Sequence, residues 1–146
     1  MPERTVFQSL TQRHVVTLPH HASVWEAACV MTKANSSNVL IIDSAGNMLG
    51  ILTERDLMSR VLAKALNPQT THVSEVMTPN PQTVGPDMKV AEAVLMMIER
   101  GFRHLPIVSS TDKTLGVFSV RDAMPREIGD AVSLAEFNDQ INDALG

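Results

Sequence analysis

Tyrosine is absent from this chain, and its aromatic complement is four Phe and one Trp among 146 residues. The core must therefore be aliphatic, with nine Met as adaptable filler. A single cysteine, Cys29, excludes an intrachain disulfide and a cysteine-based zinc cage. The apolar runs Val39-Leu40-Ile41-Ile42 and Val94-Leu95-Met96-Met97-Ile98 fall far short of a bilayer span. The opening MPERTVFQSL lacks the apolar stretch of a signal peptide. Positive charge is not in excess: 12 Lys and Arg face 16 Asp and Glu, a net charge of −4, which disfavours binding along a phosphate backbone. No G-x-G-x-x-G turn, Walker-type phosphate loop, nucleophile elbow or H-E-x-x-H spacing occurs. The five histidines show no ligand spacing, and His20-His21 read as solvated turn residues. The expectation is a cytoplasmic protein that is not an enzyme, with no metal, no nucleic acid and no membrane as partner.

What is present is enough apolar residue to build a core, 44% against 19% charged, and a repeat. Residues 17–58 lie over residues 83–124 without a gap. Eleven of those pairs are identical, among them Thr17/Thr83, Val24/Val90, Ala27/Ala93, Met31/Met97, Ile41/Ile107, Gly50/Gly116, Arg55/Arg121 and Asp56/Asp122. Chance would supply roughly three. Each copy reads strand, helix, strand, strand, helix. Val15–Leu18 and residues 82–84 are the short first strands. Ser23 with Glu26 is a capping box that opens a helix to about Ala34. Its partner begins near Asp87 and stops at Gly101. Residues 38–43 and 103–108 pair with 48–52 and 115–118, all apolar enough to be covered on both faces. A second helix follows Thr53, running to about Leu66, and another follows Ser119, which must end early or kink at Pro125. Ser133 with Glu136 opens a tail helix striped by Leu134, Phe137, Ile141 and Leu145.

The fold class is thus α/β (α+β): two β-α-β-β-α half-domains related by a pseudo-two-fold, plus a C-terminal helix. The expected division is residues 1–66 as first unit, 67–80 as linker, 81–128 as second unit and 129–146 as amphipathic helix.

Two stretches carry the chemistry: Gly50-Ile51-Leu52-Thr53-Glu54-Arg55-Asp56 and Gly116-Val117-Phe118-Ser119-Val120-Arg121-Asp122. Each is a buried strand leaving into a helix, with a hydroxyl three residues before a carboxylate. Read singly, each is a helix cap. Glycine at the same place in both lets a backbone or a flat ligand come close.

In duplicate, the pattern resembles the tandem cystathionine-β-synthase-like (CBS) domain pair, or Bateman module. The resemblance covers Val15 to Met124. It rests on the Gly-h-x-[Thr/Ser]-x-x-Asp ending of both copies, on Val76-Met77-Thr78, and on Arg103-His104-Leu105-Pro106-Ile107-Val108. It implies a regulatory module that binds an adenine nucleotide (AMP, ADP or ATP) in clefts between the units, with no catalytic cofactor. Asp56 with Thr53 would hold a ribose in one cleft, and Asp122 with Ser119 in the other, because a carboxylate can accept from both hydroxyls of a cis-diol. Arg103 and His104 would meet phosphate at the Asp56 site; their counterparts Ser37 and Asn38 carry no charge, so the two sites should be unequal. Adenine would be read near Thr17 and Thr83, with Val39 and Pro106 as walls. The resemblance further implies a homodimer, assembled through apolar helix faces. The alternatives are a dimerisation or partner-docking module without a ligand, and a binder of S-adenosylmethionine or NADH.

Overall fold

The computed structural model describes residues 3–11 and 14–145. The chain runs α1 (Val6–Ser9), β1 (Thr17–Pro19), α2 (Val24–Ala34), β2 (Asn38–Ile42), β3 (Met48–Thr53), α3 (Glu54–Asp56), α4 (Val73–Val76), β4 (Thr78–Pro79), α5 (Val90–Arg100), β5 (His104–Val108), β6 (Thr114–Ser119) and α6 (Pro125–Leu145). A π-helical segment, Leu57–Leu62, continues α3, and a 3-10 turn, Val120–Asp122, follows β6. This is the expected mixed α/β architecture with a C-terminal helix.

The packing forms two units that do not follow chain order. Residues 15–81 make one, and residues 82–145 with the N-terminal segment make the other. The segment 67–80, read from sequence as a linker, therefore packs with the first repeat, and the N-terminal residues pack with the second. The reason lies in equivalent contacts. Val73 N–H donates to the Ala22 carbonyl at 2.8 Å, and Val24 N–H to Thr71 at 2.9 Å. In the other unit Val6 N–H donates to Met88 at 2.8 Å, and Val90 N–H to Arg4 at 3.0 Å. Val6 and Val73 are both fully buried, so each short helix plugs the start of a long one.

In the first-repeat unit the sheet order is β1-β2-β3-β4, with β1 parallel to β2 and the other pairs antiparallel. Val39, Leu40 and Ile41 are buried in succession, so β2 is covered on both faces as its pattern requires. α2 buries Val24, Ala27 and Met31, spaced as one helical face, against Val39, Ile41 and Leu52. Ser23 caps it, its hydroxyl accepting from Glu26 N–H at 3.1 Å, and Asn35 ends it in the left-handed region at φ 51°.

In the second-repeat unit β5 and β6 pair antiparallel, and α5 buries Val90, Ala93, Val94 and Met97 against Leu105, Ile107 and Phe118. Gly101 closes α5 at φ 79°, as expected. The expected first strand at 82–84 shrinks to one parallel bridge, Val84 to Ile107. Proline explains the loss. Leu40 N–H donates to Val16 at 2.9 Å in the first unit, and its counterpart Pro106 has no N–H to give.

Two helices differ from the sequence reading. The helix after Thr53 stops at Leu62 rather than Leu66, its last turns wound as a π-helix capped by Ala63. The tail helix does not begin at Ser133: α6 is continuous from Pro125. Proline at a first helical position costs nothing, and Glu127 accepts from Met124 N–H at 2.8 Å, so the helix is started eight residues early. Ala131 and Ile128 pack it onto the core. Of the expected stripe, the side chain of Leu145 lies outside the described residues. No helix of the described residues is long and apolar enough to cross a membrane.

Candidate functional site

Both signature carboxylates sit where a buried strand gives way to a helical turn. In the first unit, Thr53 ends β3 in extended conformation and caps α3. Its N–H and hydroxyl both donate to Asp56 Oδ2, at 2.9 and 3.1 Å, while its Oγ1 accepts from Asp56 N–H at 3.3 Å. The other oxygen, Oδ1, faces Arg60 Nε at 3.5 Å. The Asp56 side chain is 13% exposed. One oxygen thus holds the turn together, and the second takes no part in the cap.

The second unit repeats this with looser geometry. Ser119 N–H donates to Asp122 Oδ2 at 2.9 Å, but its hydroxyl accepts from Arg121 N–H at 3.3 Å in a 3-10 turn. Burial pushes the Asp122 carboxyl up from its ordinary value, against the pull of Ser119 N–H, Arg4 and Arg121.

The signature glycines serve packing. A Cβ on Gly50 would lie 2.5 Å from Met77 Sδ and 2.7 Å from the Thr78 carbonyl. A Cβ on Gly116 would lie 2.5 Å from Leu10 Cδ1. In each unit the neighbour lies on the lead-in, the short helix α4 or α1 and the residues that follow it ahead of the next long helix, so Gly50 and Gly116 make room for protein rather than for a ligand.

The remaining expected residues scatter. Val39 and Pro106 are fully buried in β2 and β5 and face no open surface. Thr17 is exposed at the start of β1, beside Leu40. It borders a surface hollow of about 190 Å³ with Pro19, His20, His21 and Asp43. That hollow lies at the Ile42 end of β2, whereas Thr53 pairs with Asn38 at the opposite end. Thr83 is exposed ahead of the Val84 bridge. His104 opens β5 opposite Ser119, half-buried, and the exposed Arg103 precedes it. The structure therefore brings together Thr53 with Asp56, and Ser119 with Asp122, with His104 across the strand pair from Ser119. No group of three or more His, Cys, Asp or Glu among the described residues is arranged to hold a metal ion.

Two arginines at these turns were missed from sequence. Arg60 sends Nη1 to the carbonyls of Val76 and Met77, at 3.1 and 3.2 Å. Arg4 grips Glu127 through Nη2 at 2.7 Å and Nε at 3.1 Å, and donates to the Asp122 carbonyl at 3.0 Å. The available signal was Arg60 four residues after Asp56, a helical neighbour. Nothing local marks Arg4.

The chain's likeness to known proteins follows the same two segments. A family model described as CBS domain matches residues 7–63 and 73–126. A CBS domain-containing protein of Arabidopsis thaliana is 40% identical over 108 residues, which is 74% of this chain and 20% of that protein. A 17.7 kDa protein of Acidianus ambivalens is 34% identical over 117 residues, 80% of this chain and 69% of that one. The chain thus spans about a fifth of the Arabidopsis relative's length. Among solved structures, a CBS-domain protein of Agrobacterium tumefaciens matches with a TM-score of 0.73 at 29% identity, covering 88% of this chain and 91% of that one. A Burkholderia ambifaria protein with CBS domains gives 0.74 at 27%, covering 80% and 86%. Each matched segment carries the long helix, the antiparallel strand pair and the hydroxyl–carboxylate turn, and by these the chain belongs to the CBS domain family.

Proposed function

We propose that this chain is a regulatory module that binds an adenine nucleotide, with Asp56 and Asp122 accepting the hydroxyls of its ribose. The observation that carries the reading is the division of labour within each carboxylate. Oδ2 is spent on the turn, and Oδ1 is left outside it at the end of a buried strand. A cis-diol needs such a rigidly held acceptor, and Thr53 or Ser119 beside it supplies a hydroxyl. A related fold supports the choice of ligand: a Pyrobaculum aerophilum CBS-domain protein was solved in complex with AMP. Arg103 is the proposed phosphate contact. It is exposed, and the first repeat has Ser37 at its position. Phosphorylated ligands should therefore depend on Arg103.

A second reading, assembly or docking without a ligand, is favoured by apolar side chains left in solvent, with Leu62 78% and Phe137 56% exposed.

A thermal-shift series with AMP, ADP, ATP, S-adenosylmethionine and NADH on ligand-stripped protein separates the two. The expected result is stabilisation by at least one adenine nucleotide, about 2–3 kcal/mol at a hundredfold excess over Kd. Asp56→Asn and Arg103→Ala should each weaken it. No shift with any of the five removes the nucleotide reading and leaves assembly, which light scattering would then measure.

A further inference from the structure

Arg60 does more than pair with a neighbouring carboxylate. It lies on the π-helical segment, one turn beyond Asp56, with its side chain 47% exposed. Nε rests 3.5 Å from Asp56 Oδ1, while Nη1 holds the two carbonyls where α4 ends and the chain turns into β4. β4 in turn pairs with β3 across Gly50 and Ile51. One guanidinium thus joins the signature carboxylate to the segment 73–81, through which the chain leaves this unit for the second repeat.

The second unit makes the same join from a different place. The residue matching Arg60 in the repeat is Arg126, exposed at the start of α6. The join there is made by Arg4, which sits on the lead-in segment itself and reaches the Asp122 carbonyl. Two arginines at non-equivalent positions therefore tie each signature turn to the lead-in packed beside it.

In the first unit the tie runs through the oxygen a ligand would use. Oδ2 of Asp56 already accepts two hydrogen bonds, so a diol must share Oδ1 with Arg60 Nε. We propose that Arg60 is a positioning residue that couples Asp56 to the 76–80 segment: a hydroxyl seated on Oδ1 displaces Nε and loosens the grip on Val76 and Met77. The ligand half of this rests on Asp56 as the diol acceptor, whereas the link from Asp56 through Arg60 to the lead-in does not. Such a link carries occupancy from the site to the connection between repeats, as a two-state element must.

Amide exchange measured by NMR on the full chain tests both halves. The readouts are Met77 N–H, bonded to the Val73 carbonyl, and Asn80 N–H, bonded to the Leu49 carbonyl. Asp56→Asn and Arg60→Gln should each speed exchange there by about tenfold, while the buried Val39 and Leu52 amides stay protected. The double variant should add little, because both substitutions cut one link. With AMP as probe, the parent should show faster exchange at the same two amides, and Arg60→Gln should bind AMP without that response. Additive effects in the double variant, or an unchanged Met77 amide in Asp56→Asn, overturn the coupling. An equal AMP response in Arg60→Gln overturns it as well. If the parent binds no AMP, the ligand arm is run with whichever adenine nucleotide stabilises it; if none does, the nucleotide reading falls and the ligand-free cycle alone decides the link.

Discussion

What a carboxylate does in this chain depends on what its oxygens already hold. Arg4 grips both oxygens of Glu127 and keeps its carboxyl below the ordinary value of 4.5, whereas burial raises Asp122 above 3.8. The two act oppositely on stability. Glu127 contributes above about pH 4.5, and its contribution is lost as pH falls through its lowered value. Asp122 favours the fold where it is protonated, and that advantage is lost as pH rises from 3.8 through its raised value. Removing Arg4 takes the partner from Glu127 and one attraction from Asp122. Arg4→Ala should cost about 1 kcal/mol near neutral pH, the upper range for a bidentate pair still partly in solvent. The gap to the parent should narrow as pH drops below 4.5, because protonated Glu127 gives Arg4 little to hold. Urea unfolding at a series of pH values reads this, and a gap that stays constant to about pH 3 would show the bridge to be inert.

At the scale of elements, locally encoded features were legible and those set by distant contacts were not. Ser23 and Gly101 mark their helix ends by the chemistry of a few adjacent residues, and both stand where expected. The pair Ser133 and Glu136 has the same local form and does not cap a helix, because α6 has already been started by Pro125 and by Glu127 on the Met124 N–H. No windowed reading of residues 129–145 contains that information. A true N-cap serine replaced by alanine loses about 1 kcal/mol, but a serine inside a helix gains a few tenths from the better propensity of alanine. Ser133→Ala should therefore leave urea stability unchanged or slightly higher. A loss near 1 kcal/mol would mean that the helix breaks before Ser133 after all.

For the whole molecule, the repeat was legible because four of its identities are core pairs and two more, the glycine and aspartate of the signature, have fixed structural tasks. Val24/Val90, Ala27/Ala93, Met31/Met97 and Ile41/Ile107 are buried in both units, and the identical Gly50/Gly116 face a lead-in in both. The equivalence of the two lead-ins went unseen, although Val76-Met77-Thr78 was noticed in one of them. Residues 5–10 correspond to 72–77, but the spacing is longer by one residue, and Val6/Val73 is the one identity. Buried apolar positions tolerate exchange of Leu10 for Met77, so equivalence in space leaves little trace in sequence. This is why the N-terminal residues read as part of the first repeat while packing in the second. Val6 is fully buried there, Leu10 covers Gly116, and Arg4 binds Glu127. A chain lacking residues 1–10 should accordingly lose several kcal/mol from the unit it does not adjoin in sequence, since a buried Val and Leu and a cap are removed together. Amide exchange should speed at Leu105 and Phe118 while Val39 and Leu52 keep the parent's protection. Faster exchange confined to residues 15–81 would contradict the packing, and equal loss in both units would show that the two unfold as one.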